Sequence, residues 1–504
     1  MDYDGHIVIT DLMITFHHFA FENTFYHKGW HRIEKELCLH QFQQTAWLHV
    51  AQAKEEDLTT DDLVVTDIKV IKVGEPNPNT DSDSSWETRA AGVWVRRSKY
   101  TGHSRQAITA IDVLFGVDAV EPRPQWSLLQ TPLQLSIRPE LPVAKLSVRR
   151  GMARPNPPAV LRVNGDGKFK VLQISDTHMI TGVGVARDAM GPDGQPLPKS
   201  EADPLTVQFL GEILDVEKPD LVLLTGDHVH HDILDTQSAL FKVVAPLVER
   251  SIPHAAVFGN HDDEGIYALS REAQMSLLQD LPYSLSEPGP KQVDGVGNYY
   301  LQVFAQAPSK VPLLTFYLLD SHGAVPSEVK TRDYDCIKQS QIDWFTSTSE
   351  ELRKARKNDN ENDSLHLSLA FMHIPCPEYG DSNLILKGGH RGEPTEGPSY
   401  NSHFYDALVK EGIVAVGCGH DHVNDFCALR PQSDGSIVGP WLCHAGGSGF
   451  GGYGAYEGKR YYRRARVWEF DTMSGDLKTW KRVEYAKEKV DELVLVKGGT
   501  VVDA

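Results

Sequence analysis

The sequence predicts an α/β fold: a sheet served by helices, a second sheet packed on it, and a β-rich domain ahead of both. Three observations carry this. From Phe169 onward, short apolar runs alternate with segments of helical spacing, a rhythm that favours parallel strands covered by helices. Strand-like runs dominate before that point and return from Val423 to about Val483. The 504 residues, 40% hydrophobic and 24% charged, suit two or three globular domains with ample core.

Within residues 1–165, the runs 63–73 (LVVTDIKVIKV) and 91–95 (AGVWV) read as strands flanking a polar Pro/Asn/Asp/Ser loop at 74–85. His17, His18, His27 and His31 lie among aromatics at no usual ligand spacing, so they read as packed or surface histidines. The PNPP at 155–158 marks a boundary. Residues 1–165 are then a β-rich N-terminal domain, 166–485 the α/β domain and 486–504 a C-terminal tail. In the α/β domain, strands are expected at 169–175, 221–225, 255–258, 299–303, 313–320, 365–372 and 413–416. Helices are expected at 206–216, 239–248, 266–278 and 340–355.

Five of these strands stop at residues able to hold metal. They lead into Asp176-Thr177-His178, Gly226-Asp227, Gly259-Asn260-His261-Asp262, His373, and Gly419-His420-Asp421-His422. The C-terminal edge of an open α/β sheet is where ligands gather. Hydrolysis of a phosphate ester needs a nucleophile at neutral pH and positive charge around the phosphoryl group. Two metals about 3.5–4 Å apart supply both, as a bridging hydroxide and a clamp on the oxygens. Asp227 is the natural bridge. Asp176 and His178 face one ion, Asn260 offers a carbonyl oxygen, and His373, His420 and His422 offer imidazoles. No cysteine enters these motifs, which argues against a structural zinc site.

The formal net charge of -19 argues against nucleic acid or an anionic membrane surface as partner. No apolar run reaches the ~18–20 residues of a membrane span. Six scattered cysteines and a start without a basic, apolar leader point to the cytoplasm. Asn362-Asp363-Ser364 reads as a chance glycosylation sequon.

The ordered motifs D-x-H, G-D, G-N-H-D, H and G-H-x-H resemble those of the calcineurin-like metallophosphoesterase superfamily. The resemblance implies a four-layer sandwich of two mixed β-sheets flanked by helices. It implies that Asp176, His178, Asp227 and His422 hold one metal and Asp227, Asn260, His373 and His420 the other. It places His261 on the phosphate, aiding the leaving group. GWHRIEK at 29–35, IDVLFGVDAV at 111–120 and the segment 446–454 are similar to the purple-acid-phosphatase-like branch that includes fungal cell-cycle regulatory phosphatases. Purple enzymes carry a tyrosine three residues after the bridging aspartate; here His230 stands there, and His178 stands where they lack histidine. Two divalent ions (Mn, Zn or Fe) and a colourless protein are therefore expected.

His228, His230 and His231 follow the bridge closely, as outer contacts to the metals or as loop surface. His390 or Arg391 in GGHRGE (388–393) would bind substrate oxygens, unless this is a surface loop. GGSGFGGYG at 446–454 lacks a P-loop ending and reads as a close-packed turn near the metals. Arg460, Arg463, Arg464 and Arg466 read as a solvated face. The expected function is a metal-dependent phosphatase acting on phosphomonoesters, on small molecules or phosphoproteins. The alternatives are a phosphodiesterase of nucleotides or lipids, or a non-catalytic scaffold.

Overall fold

A computed structural model of the chain describes residues 6–17, 29–41, 44–76, 86–156, 159–326, 333–358, 365–431, 435 and 439–503. His18, His27, Pro157, Pro158, the sequon at 362–364 and most of the 74–85 loop lie outside them. The chain divides into two compact units, Met1–Asn156 and Pro157–Ala504.

The first unit holds three antiparallel sheets of three strands each. Thr45–Lys54 lies between Ile7–His17 and Trp30–Glu36, Val93–Lys99 between Leu63–Val70 and Trp86–Thr88, and Ala144–Arg150 between Ile108–Phe115 and Trp126–Leu128. Val8, Val64, Tyr100 and Ala107 pack together in one buried cluster. His31 is exposed and His17 half-buried, and among the described residues neither joins a ligand-like group.

The second unit is built on two seven-stranded sheets. The first runs in the order His254–Val257, Leu221–Thr225, Lys168–Ile174, Arg464–Asp471, Asp476–Val483, Val490–Lys497 and Thr500–Val501. Its first three strands are parallel and the rest antiparallel. The second sheet runs Tyr299–Phe304, Pro312–Leu318, Leu367–Phe371, Ala415–Cys418, Trp441–His444, Cys427–Leu429 and Ile385–Lys387. Val171, Leu221, Leu223 and Val257 of the first sheet share one core with Phe316, Leu369, Phe371 and Trp441 of the second. Side chains alternate along a strand, so Leu172, Val222 and Leu224 bury on the opposite face of the first sheet.

Helices supply the outer layers. On the second sheet, α4 (Gln339–Asn358) and α5 (Phe404–Lys410) press Phe345, Phe404 and Leu408 against Tyr317, Ala370 and Val416. On the first sheet, α1 (Ala202–Glu217) ends at Glu217, whose carboxylate takes Lys170, Trp480 Nε1 and Arg482 from two strands. Beside it, α2 (Thr236–Glu249) starts where the Asp235 side chain accepts the Ser238 N–H at 2.9 Å, an N-cap bond. The four-layer sandwich expected from the motifs is the architecture of this unit.

Two elements depart from the sequence reading. The helix expected from 266 begins at Arg271 as α3 (Arg271–Gln279), because Ser270 caps it and Ile266 is 89% exposed. Residues read as a tail carry the strand Val490–Lys497, held because Leu495 and Val496 bury in the shared core. Cys427 and Cys443 are joined by a disulfide across neighbouring strands. Disulfides persist mainly in oxidising compartments, which weighs against the cytoplasmic expectation. No helix among the described residues is long and apolar enough to cross a membrane.

His254 opens a parallel strand with its ring wholly buried, and burial pushes it down to about 4. An imidazole in the unfolded chain titrates near about 6.5, so the unfolded state binds the extra proton between those values. Its stability contribution is complete above about pH 6.5 and is lost as pH falls toward about 4, up to roughly 3 kcal/mol. His366, pushed down to about 3 by burial and Arg356, acts with the same sign. Thermal unfolding from about pH 4 to 7 should show stability rising with pH, and more gently in His254→Gln. An equal slope in the variant would remove His254 as a source.

Candidate metal centre

The strand ends that carry the motifs converge. Ligand atoms of Asp176, His178, Asp227 and His422 lie within 4.8 Å of one another, and so do those of Asp227, His373 and His420. Asp227 belongs to both groups. Its Oδ2 is 3.6 Å from His178 Nε2 and 3.3 Å from His373 Nε2, while Asp176 Oδ1 is 3.4 Å from His422 Nε2. All six are buried.

The backbone is bent to make this possible. Asp176, His178, Asp227 and His420 have φ of 57°, 46°, 50° and 75°, left-handed values that cost side-chain-bearing residues of order 1–3 kcal/mol each. Asp262, the last residue of G-N-H-D, repays part of that cost. Its carboxylate accepts N–H bonds from Asp227 (3.0 Å), His228 (2.7 Å), Val229 (3.1 Å) and Gly259 (2.7 Å), fastening two loops together. Arg271 donates to the Gly259 carbonyl at 2.7 Å and pairs with Asp320, fixing the loop that bears Asn260.

The imidazoles are aimed by bonds to their far nitrogens. His373 Nδ1 lies 2.8 Å from the Thr225 carbonyl and His422 Nδ1 2.8 Å from the Tyr453 carbonyl. The Tyr453 ring stacks on His422 at 3.9 Å, and its hydroxyl donates to Glu393 at 2.9 Å. Such outer contacts orient metal-binding histidines. Residues 446–454 form the close-packed turn that its glycines suggest. A Cβ on Gly452 would strike the His178 and His422 rings, and one on Gly449 the Thr177 carbonyl.

The electrostatics call for a cation. Burial would raise Asp227, but the His373 and His261 charges beside it hold it well below the usual carboxylate range. His373, though buried, is pushed up to about 9 by Asp227 and Asp176. His178 Nε2 and His422 Nε2 face each other at 3.1 Å. His373 Nε2, His420 Nε2 and both polar atoms of the Asn260 amide are buried without a hydrogen-bond partner. Buried polar atoms are nearly always satisfied, so these residues fit a bound metal pair. His261 stands apart: its backbone N–H donates to Asp227 at 2.8 Å, while its ring pairs through Nδ1 with Glu264.

The remaining candidates divide. His228 is buried, with Nε2 2.9 Å from the Val257 carbonyl; His230 is buried against the His178 ring at 5.5 Å; His231 is exposed. Arg391 donates to the Tyr379 carbonyl at 2.9 Å and lies over Phe426. His390 is exposed, and its backbone N–H bonds Asp425. The solvated arginine face is corrected: Arg463, Arg464 and Arg466 are buried. Arg464 pairs with Asp425, and Arg466 donates to the Asp425 and His444 carbonyls. Asp262, Glu264, Arg271, Glu393 and Tyr453 had no role in the sequence reading. Asp262 and Glu264 sit in or beside G-N-H-D, but Tyr453 and Glu393 join the site only through the fold.

The comparisons with known proteins agree with this geometry. The model of the calcineurin-like phosphoesterase family matches residues 169–424. Phosphatase DCR2 of Saccharomyces cerevisiae is 36% identical over 406 residues, covering 77% of this chain and 66% of its own length. Probable inactive purple acid phosphatase 14 of Arabidopsis thaliana is 37% identical over 349 residues, covering 64% of this chain and 82% of its own. With the matched segment spanning every strand end that carries a ligand-type residue, the chain belongs to the calcineurin-like phosphoesterase family.

Proposed function

We propose that this protein is a metal-dependent phosphatase that hydrolyses phosphomonoesters, small molecules or phosphoproteins, at the strand ends just described. The observation that supports it most is the pair of ligand groups sharing Asp227, with buried donor atoms left without partners. In this reading Asp176, His178, Asp227 and His422 hold one divalent ion, and Asp227, Asn260, His373 and His420 the other. When bound, such a pair supplies a deprotonated water at neutral pH and positive charge for the phosphoryl oxygens. Asp227 sits between the ions and offsets their repulsion. His261, its Nδ1 held by Glu264, presents Nε2 to the phosphate or the leaving group. Mn, Zn and Fe all suit this donor set of carboxylate, amide and imidazole.

The preference for monoesters follows from charge. A dianionic monoester brings one more negative charge than a diester, and beside Asp227 stand His261 and the exposed His231 packed on it as donors. Metal analysis paired with turnover on an aryl phosphomonoester and the matching diester tests the reading. The expected result is two ions per chain and higher kcat/KM on the monoester. Faster turnover of the diester would point to a phosphodiesterase of nucleotides or lipids. Two ions with no turnover of either would point to a scaffold.

A further inference from the structure

Among the described residues of the second unit, every arginine but one has its guanidinium committed. Arg271 is taken by Asp320, Arg391 by the Tyr379 carbonyl, Arg463 by the Arg187 and Gly452 carbonyls, and Arg464 by Asp425. Those more distant from the site are engaged as well, as Arg250 by Asp215 and Arg353 by Glu411. Arg187 alone makes no side-chain hydrogen bond or ion pair among these residues, and it is exposed.

Its backbone, by contrast, is tightly placed. The Arg187 N–H donates to the Phe450 carbonyl at 2.9 Å, and the Arg187 carbonyl accepts from Arg463 Nη2 at 2.6 Å. The same Nη2 donates to the Gly452 carbonyl at 3.0 Å, and Gly452 is the residue with no room for a side chain beneath the His178 and His422 rings. Asp188 closes the attachment by accepting the Gly454 N–H at 3.1 Å. Arg187 is therefore rooted in the turn that lies on two candidate ligands. On the side of the bridge, His230 packs on His231 at 4.1 Å, and His231 on His261 at 5.5 Å. His230 in turn packs on the His178 ring at 5.5 Å.

We propose that Arg187 grips a non-bridging oxygen of a dianionic phosphomonoester at the mouth of the metal centre. The inference rests on the phosphatase reading above and names the residue that distinguishes monoester from diester. A guanidinium presents a planar fork of donors to phosphate oxygens and keeps its charge at all working pH. Its free donors, and a main chain anchored to the turn that lies on His178 and His422, are what such a grip requires. No contact among the described residues has to break for it to act.

The test uses the full chain loaded with manganese, as wild type, Arg187→Ala and Arg187→Lys. Inorganic phosphate affinity is measured by calorimetry, metal content by elemental analysis, and kcat and KM on an aryl monoester and its diester. Arg187→Ala should keep two ions per chain and lose about 10- to 100-fold in phosphate affinity, the worth of a charge-assisted bond. Monoester KM should rise by a similar factor with kcat little changed, diester KM should rise less, and Arg187→Lys should recover part of the loss. Unchanged phosphate affinity in Arg187→Ala, loss of metal, or equal KM rises for both esters would overturn the proposal. A wild type that holds ions and phosphate but hydrolyses neither ester would sink the phosphatase reading alone, since phosphate affinity still reports on Arg187.

Discussion

Asp227→Asn is expected to abolish turnover, to strip the protein of metal and to lower the stability of the metal-free fold. The reasoning starts from the position of the carboxylate. Asp227 is the one residue common to both ligand groups, and its charge is set against three imidazoles, His178, His261 and His373. Removing one partner of a buried charge pair costs about 3–5 kcal/mol, so affinity for the pair of ions should drop by roughly 10²–10⁴-fold. The metal-free protein is affected as well. Although burial opposes it, the His373 and His261 charges favour the Asp227 carboxylate there, and an amide at 227 still accepts the His261 N–H but no longer balances His373. Two melting curves separate the effects. Without metal, the variant should melt below the wild type; with metal, only the wild type should gain the further rise that ligand binding confers. A variant that keeps both ions and near-normal turnover would place the bridge elsewhere.

The ligand-bearing strand ends were legible because each is a short apolar run closed by a polar residue, a pattern that survives without knowledge of the fold. Lys168–Ile174, Leu221–Thr225 and His254–Val257 lie within a residue of where the sequence put them. The order of ligands along the chain carried the resemblance, and the family match agrees with it. What the sequence hid falls into two kinds. Burial of charge was invisible locally: Arg463, Arg464 and Arg466 stand in an aromatic-rich strand, and only the fold brings Asp425 and the carbonyls of Arg187 and His444 to them. Partnership across long separations was equally hidden, as with Tyr453 stacked on His422 and joined to Glu393. The 490–497 strand was missed because charged residues interrupt its apolar ones, while its pairing with Asp476–Val483 is enough to seat Leu495 and Val496 in the core.

His261→Ala is expected to do the opposite of Asp227→Asn: keep the metals and lose the rate. Its backbone, not its ring, touches the bridge, and the ring belongs to neither ligand group. The ring packs 5.4 Å from His178 and 5.5 Å from His231, with one-fifth of its side chain exposed. Glu264 takes Nδ1, which orients the imidazole. A positioned acid–base group is worth about 10²–10⁴-fold in rate, and that is the loss expected in kcat on a monoester. Glu264→Gln should lose less, about 10–100-fold, because it loosens the ring without removing it. Choice of leaving group sharpens the test. If His261 protonates the departing oxygen, His261→Ala should suffer least on an aryl ester, whose phenolate leaves without help, and most on an alkyl ester. Equal losses on both would confine His261 to binding the phosphate, and loss of metal from the variant would make its ring a ligand.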